Sequence, residues 1–502
     1  MRIAYFLDIA NGLGGAGNLL LQQARLMSQI YDVIVVIPCD ENGNGNQEYI
    51  RRCRDKGLTY RLLHYKTSYN FYYIDYLHAV ESQNTIKCFA IEEKIDFFHS
   101  VQLNIAAEMV ARELKLPHLM NIYSLRKEEF ALSGSDIYPH YHLCDSQLFA
   151  RQWSSILKIK SKCIRPVAPL MDIRKKSHNR KPYYKIVMLG YVCERKNQLA
   201  AIKAVESCLN QFDIVLEIAG SEEPKYADRC KRYVEQCGLC NKVHFKGFVS
   251  DITSLLEQCD CLLCASTDES FPSSIVEAVT YDLTIISTPI AGVPEIFQDK
   301  YNAYIANGFQ AKDISKTIME CIRAYEEESI EAIHHNAHKT WEKYFAPNII
   351  RNEIFKYYNE ILEDNYIGNV DIYANIPTEQ MRNLSKAIQL LDTENLTYQR
   401  VFYYTYLKKY LHGKKAYIWG AGKLGSLANQ LIQILELDIE IIAFIDKYKC
   451  GEYYGKPIIC PNKIKYENDY CFFISFWEGR ENIIELLNTK GVIYNQQSFL
   501  LP

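Results

Sequence analysis

An alternation that starts three times constrains this chain more than any single motif. Short β-branched runs alternate with amphipathic segments, the pattern of βαβ units that build a parallel sheet covered on both faces. In the first pass RIAYFL, DVIVVIP, YRLLHY, IDFFHS, LMNIYS and YHLCDS read as strands, and segments beginning at Asn18, Asn104 and Gln147 read as helices. A basic, proline-punctuated stretch from Arg165 to Pro182, RPVAPLMDIRKKSHNRKP, reads as a boundary. The pattern restarts with KIVMLG, IVLEIAG, VHFKGF, CLLCAS and TIISTP, and residues 330–364 read as helices that close this second unit. A polar, helix-rich connector from Ile376 to Leu411 leads to a third start, AYIWGAGKLG, followed by IIAFID and CFFISF. The expected class is α/β, with two Rossmann-like lobes and a small C-terminal Rossmann-like unit. The expected division is a first lobe at 1–164, a linker at 165–184, a second lobe at 185–345, a closing helix and connector at 346–410, and the small unit at 411–502.

Bulk properties narrow the function. At 502 residues the chain exceeds one ordinary core, in keeping with several domains. A net charge of −3 gives no general basic field, so nucleic acid is not an expected partner. The 17 cysteines follow no disulfide framework and read as small buried residues in a reducing compartment. The start, MRIAYFLDIANGLGG, turns glycine-rich too soon for a signal peptide, and no run is apolar for long enough to span a bilayer. The cytoplasm is the expected location. Cys237-x2-Cys240 and Cys261-x2-Cys264 match a zinc-ribbon spacing. Cys261 and Cys264 stand three apart in a strand, however, and point to opposite faces, so core cysteines are expected rather than a metal.

The stretch DESFPSSIVEAV, Asp268 to Val279, carries two glutamates eight positions apart, Glu269 and Glu277. It follows CLLCAS and precedes AGVPEIF. Ligands of parallel sheets bind beyond the carboxyl ends of the strands, so Glu269, on the loop leaving a strand, is expected in that crevice. A helix starting near Ser273 or Ser274 would offer unpaired N–H groups and a positive dipole end, suited to phosphate. Glu277 would lie in its first turn. Ser274-x-x-Glu277 also has the form of a capping box, which needs no ligand.

The order strand, E-x7-E, strand TIIST, then AGVPE, with GYVCERKNQ and FKGFVSDI before it, resembles the nucleotide-sugar site of glycosyltransferase family 4. The resemblance covers residues 1 to 345 and is densest from Lys185 to Asn307. It implies the two-lobed GT-B fold and retaining transfer of a sugar from a nucleoside diphosphate sugar to a glycan or lipid-linked acceptor. Bacterial polysaccharide and cell-surface glycan biosynthesis is the implied setting, with peripheral contact at the inner face of the membrane. By position it implies that Glu269 contacts the donor sugar and stabilises its developing positive charge, and that Glu277 holds the ribose hydroxyls. Lys196 would neutralise the departing diphosphate, whose charge is greatest in the transition state. Arg195, Phe271, Ser273 and Ser274 would line the donor, and Gly14 and Gly15, in GLGGAGN, would bring first-lobe backbone to the diphosphate. Two positions depart from the family pattern. Tyr191 follows Gly190 where arginine is usual, with Arg195 as a substitute, and Tyr123 stands where a histidine is frequent. His99 and His118 read as packed or surface histidines. No D-x-D pair occurs, so neither a metal nor a cofactor is expected for transfer.

In the third unit, Gly420-Ala421-Gly422-x-x-Gly425 follows KAYIW and opens a helix, and Asp446 ends IIAFID. That is a dinucleotide-binding fingerprint in its strand–turn–helix context. The unit lacks a downstream Tyr-x-x-x-Lys and resembles the small Rossmann-like domains attached to bacterial sugar-modifying enzymes, which implies a nucleotide-binding or docking accessory. Beside the transferase stand two alternatives. One is a nucleotide-sugar oxidoreductase or epimerase working through this unit, and the other a nucleotide-sugar-binding scaffold without catalysis.

Overall fold

The computed structural model describes residues 1–8, 15–40, 42–65, 76–101, 104–123, 140–157, 160–168, 172–249, 251–364, 366, 411–467, 469–475, 480–492 and 498–500. Among them stand three sheets, one for each start of the alternation. The first lobe contains β1 (Arg2–Phe6), β2 (Asp32–Pro38), β3 (Thr59–Leu63), β4 (Phe97–Val101), β5 (His118–Asn121), β6 (Tyr141–Cys144) and β7 (Lys160–Cys163). Its helices are α1 (Gly15–Met27), α2 (Gln47–Asp55), α3 (Tyr76–Glu92), α4 (Ile105–Leu114) and α5 (Gln147–Leu157). The strands lie parallel in the order β3-β2-β1-β4-β5-β6-β7. Both faces of the central strands are covered, so β4 and β5 are buried at every position and show no polar alternation.

The second lobe repeats the plan with β8 (Tyr184–Leu189), β9 (Ile214–Ala219), β10 (Val243–Gly247), β11 (Cys261–Cys264), β12 (Thr284–Ser287) and β13 (Tyr304–Ile305). Around them pack α6 (Gln198–Cys208), α7 (Pro224–Gln236), α8 (Ile252–Glu257), α9 (Ser273–Thr280), α10 (Ala311–Glu326) and α11 (Glu331–Tyr344). The order is β10-β9-β8-β11-β12-β13, so the strand order reverses beside β8 as it does beside β1. A crevice opens at such a reversal, at the carboxyl ends of the strands. As expected of core cysteines, Cys261 and Cys264 are buried, while Cys237 and Cys240 are exposed.

Over 347–364 the structure differs from the sequence-based expectation. Helix α12 (Pro347–Asp364) leaves the second lobe and packs on the first. Its stripe Ile350, Ile354, Tyr357, Tyr358 and Ile361 joins the cluster of Tyr5, Val33 and Phe97. The Tyr358 hydroxyl meets the Tyr5 hydroxyl and His99 Nδ1, each at 2.6 Å. An apolar stripe says that a helix is covered, but not by which lobe.

The third sheet contains β14 (Lys414–Trp419), α13 (Lys423–Ile434), β15 (Ile439–Ile445), β16 (Gly451–Tyr453), β17 (Lys456–Ile459), β18 (Tyr470–Ile474), α14 (Arg480–Thr489) and β19 (Ser498–Leu500). Its order is β16-β17-β15-β14-β18-β19, parallel except for the hairpin of β16 with β17. Gly425 of α13 packs against the end of β14 so closely that a Cβ would lie 2.0 Å from the Gly420 carbonyl oxygen. No helix among the described residues is long and apolar enough to cross a membrane.

Candidate active site

The loop leaving β11 delivers Glu269 to the crevice of the second lobe. Its carboxylate pairs with Lys196 Nζ, lies 3.1 Å from Arg195 Nη1 and accepts a 2.8 Å hydrogen bond from Ser266 Oγ. Burial alone would raise its pKa, but Lys196 and Arg195 outweigh burial and hold it below the ordinary carboxylate range. Glu269 is therefore an anion at neutral pH, and both cations come from one short turn, Glu194–Lys196, that follows β8. Gly190 makes that approach feasible. It takes φ 125°, and a Cβ there would come within 3.2 Å of Lys196 Cε. The adjacent Tyr191, at the position where the family usually has arginine, is largely exposed. Arg195 supplies a cation close by.

The helix that follows begins at Ser273 with Pro272 at its N-cap, and no side chain caps it. The capping box read from Ser274 and Glu277 is thus not formed. Proline occupies the cap, Ser274 falls inside the first turn, and Glu277 sits one turn further on. The first N–H groups of α9 are left without a side-chain partner, and that end carries the positive pole of the helix. No side chain among the described residues hydrogen-bonds Glu277. Burial raises its pKa to about 7, against the pull of Arg52 and Lys196. Arg52 belongs to α2 of the first lobe, where it also meets Glu48 at 3.0 Å and Asn18 at 2.8 Å, so a first-lobe cation faces the Glu277 carboxylate. The Phe271 ring is buried beneath Arg165 and against Phe345.

Next to Glu269 the two lobes meet in a polar seam. Ser270 Oγ donates to Asp145 and lies 3.0 Å from Ser146 Oγ, both at the end of β6. Burial raises the Asp145 pKa to about 7 although the Ser270 hydroxyl counters it. Glu295, in the AGVPE stretch, accepts from the backbone N–H groups of Gln147 and Leu148 at 2.9 Å and from Arg165 Nη2 at 2.7 Å. It caps the first-lobe helix α5 from the second lobe. A Cβ on Gly292 would meet Ser146 Cβ at 2.8 Å, so this glycine permits the close approach. None of Asp145, Ser146, Arg165 or Arg52 was singled out from the sequence. The Ser146 position before an amphipathic segment was the one available signal.

In the first lobe, Gly14 lies outside the described residues and Gly15 opens α1. His99 is fully buried, bonded to Tyr358 and Asn121 Oδ1, and its pKa is pushed down to about 3 by burial. His118 is bonded to Ser100 and Glu108. Both are satisfied core histidines. Tyr123, where the family often has histidine, lies 3.5 Å from Gln23 Nε2 beside α1.

In the third sheet, Gly420, Gly422 and Gly425 do form a strand-to-helix loop. The Asp446 carboxylate is engaged by backbone N–H groups of Ala421 at 3.2 Å, Tyr448 at 2.9 Å and Lys449 at 3.1 Å. It staples its own loop.

Residues 171–340 match the protein-family model described as glycosyl transferases group 1, so that domain lies across the second lobe. Over 123 residues the chain is 30% identical to N,N'-diacetylbacillosaminyl-diphospho-undecaprenol alpha-1,3-N-acetylgalactosaminyltransferase of Campylobacter jejuni, covering 24% of this chain and 32% of that one. Over 121 residues it is 26% identical to the phosphatidylinositol N-acetylglucosaminyltransferase GPI3 subunit of Saccharomyces cerevisiae, covering 24% of this chain and 26% of that one. The chain thus spans about a third or less of the curated relatives it matches. Solved structures match over more of it. A glycosyltransferase from Rickettsia africae has a TM-score of 0.59 at 15% identity over 72% of this chain and 99% of its own. Anabaena HepE in complex with UDP-glucose has a TM-score of 0.58 at 16% identity over 71% of this chain and 99% of its own. These likenesses show the fold, the two-lobed GT-B arrangement of glycosyltransferases.

Proposed function

We propose that the chain is a retaining glycosyltransferase of family 4. It would move a sugar from a nucleoside diphosphate donor to a glycan or lipid-linked acceptor in bacterial polysaccharide or cell-surface glycan biosynthesis. The observation that carries this reading is the meeting of Glu269 with Lys196 and Arg195 at the carboxyl end of β11. A diphosphate bound over the free N–H groups of α9 would share both cations. As the bond from the anomeric carbon to the diphosphate breaks, negative charge gathers on the diphosphate and positive charge on the sugar ring. Lys196 and Arg195 stabilise the first and the Glu269 anion the second. The acceptor oxygen bonds the anomeric carbon on the face the diphosphate leaves, and the acceptor proton passes to the departing phosphate oxygen. Glu277 accepts hydrogen bonds from the ribose hydroxyls. Because two side-chain cations and a helix end already face the diphosphate, the reaction needs neither a metal at this site nor a cofactor. The enzyme would work in the cytoplasm, and at the inner face of the membrane when its acceptor is lipid-linked.

A panel of nucleoside diphosphate sugars, the uridine series first, tests the reading by release of nucleotide and by the anomeric configuration of the product. We expect one donor to be consumed with retention. Inversion would overturn the retaining mechanism, and the absence of both turnover and slow hydrolysis with every donor would leave the non-catalytic scaffold in its place.

A further inference from the structure

The anchors of Glu269 and of its neighbour Ser270 differ in what a bound donor would do to them. Lys196 and Arg195 pair with the Glu269 carboxylate. Arg195 Nη1 also donates to the Asp268 carbonyl at 2.8 Å, so the same guanidinium holds the loop itself. Both cations face the place proposed for the diphosphate, and side chains that turn to it release Glu269 and Asp268. Ser266 Oγ, at 2.8 Å, stays with the carboxylate. The other anchor that stays is Ser270.

Ser270 is fixed from across the lobes. Its hydroxyl donates to Asp145 Oδ1 and lies 3.0 Å from Ser146 Oγ, while its carbonyl accepts from the Gly292 N–H at 3.0 Å. Asp145, Ser146 and Ser270 are each 2% exposed or less, so water does not compete for these bonds. The mount is firm. Asp145 follows β6, a strand buried at every position, and its carbonyl accepts from Arg165 Nη1 at 2.8 Å. Ser146 opens α5, its Oγ accepting from the Phe149 N–H at 3.2 Å.

We propose that Asp145 is a positioning residue for transfer: through Ser270 it holds Glu269 in place while the diphosphate engages Lys196 and Arg195. This role rests on the one proposed for Glu269. Displacing a reacting group by about 1 Å costs roughly 10²-fold in rate. Nucleotide binding depends instead on Lys196 and the first N–H groups of α9, which Asp145 does not touch. The expected signature is therefore a loss of kcat beside a nearly constant affinity.

The test is a double-mutant cycle in the full chain: Asp145→Ala, Ser270→Ala and the two combined. Measured are kcat at saturating donor and calorimetric affinity for the nucleoside diphosphate of that donor, with thermal melting as the folding control. In Asp145→Ala the Ser270 hydroxyl keeps Ser146 as a partner, and Ser270→Ala reads the same contact from the other side. Each single variant should lose ~10²-fold in kcat. The double variant should fall no further, because the two residues act in series. Affinity should stay within about three-fold throughout. Asp145→Asn, whose amide oxygen still accepts from Ser270, should restore most of the rate. Glu295→Gln loosens the same seam elsewhere, so it should lower the melting temperature and leave kcat within about three-fold. Additive losses, wild-type kcat in a folded Asp145→Ala, or an equal loss of rate and affinity would overturn the proposal. So would a Glu295→Gln as slow as Asp145→Ala. Amide exchange over Thr267–Phe271 in the free chain needs no donor, and Asp145→Ala should quicken it at least ~10-fold. Unchanged exchange would count against Asp145 even if the wild type turned over no donor, a failure that belongs to the proposed function alone.

Discussion

Glu269 and Asp446 stand in equivalent places, each on the loop leaving a parallel strand that flanks the first strand of its sheet. Their partners differ in kind. Glu269 is held by side chains, Lys196 and Arg195 from the turn after β8 and Ser266 from its own loop. Asp446 is held by backbone N–H groups of Ala421, Tyr448 and Lys449. A backbone donor cannot leave without distorting its loop, whereas a lysine or arginine side chain can turn toward a phosphate at the loss of one ion pair. The first carboxylate is held by groups that can turn away, and the second by its own loop. A glycine-rich loop and an acidic residue at fixed spacing are therefore insufficient to identify a ligand site. The partners of the acid, side chain or own backbone, are what differ between the two loops.

Substitutions can break this comparison or sharpen it. The largest effect is expected for Glu269→Ala, which should reduce transfer by at least ~10²–10³-fold, the range for a group aimed at transition-state charge. Steady-state rates with the identified donor check it, and near-normal turnover would place Glu269 on the same footing as Asp446. Lys196→Ala comes next. Loss of one charge-assisted bond, about 1.5–3 kcal/mol, should weaken nucleoside diphosphate binding by roughly 10–100-fold in calorimetry.

Glu277→Gln should act through pH. Burial raises the Glu277 pKa to about 7 from an ordinary 4.5, so the free protein loses stability as pH rises through that window. Only the ionised carboxylate accepts from both ribose hydroxyls. Wild-type nucleotide affinity should therefore improve by about 10-fold from pH 6 to pH 8 through this group. Glu277→Gln should lack that component, and parallel pH profiles would remove Glu277 from the ribose. The smallest effect on transfer is expected for Asp446→Ala. It should leave turnover within about two-fold while costing about 1–3 kcal/mol of local stability, read as faster amide exchange over the Gly420–Gly425 loop. A collapse of transfer in this variant would reverse the comparison and favour the oxidoreductase or epimerase reading of the third unit.

Much of this was legible in the sequence, for identifiable reasons. Central strands such as VIVVI and CLLC are buried on both faces, so they appear as apolar runs bounded by turns. The edge strands β7, KSKC, and β13, two residues long, carry no such signal. Glu269 could be placed because a buried strand, a loop and a helix start follow one another within a few residues. Glu277 was located on the right helix but in the wrong turn, since Pro272 rather than Ser274 takes the cap. The seam of Asp145, Ser146 and Arg165 with Ser270 and Glu295 was not visible, because its partners are separated by more than a hundred residues. The same holds for His178 and Asp282, 104 residues apart. Local patterns reveal what a segment is, while contacts between segments depend on the topology that assembles them.

The account rests on Glu269 acting on charge that exists mainly in the transition state. Its most direct test is the isosteric Glu269→Gln, measured twice: single-turnover transfer with the donor, and affinity for the nucleoside diphosphate product. Removing the anion frees Lys196 and Arg195 for the diphosphate. The prediction is therefore a transfer rate reduced by ~10²–10³-fold beside product affinity that is unchanged or tighter. Equal loss of rate and affinity would contradict the account and make Glu269 a binding residue.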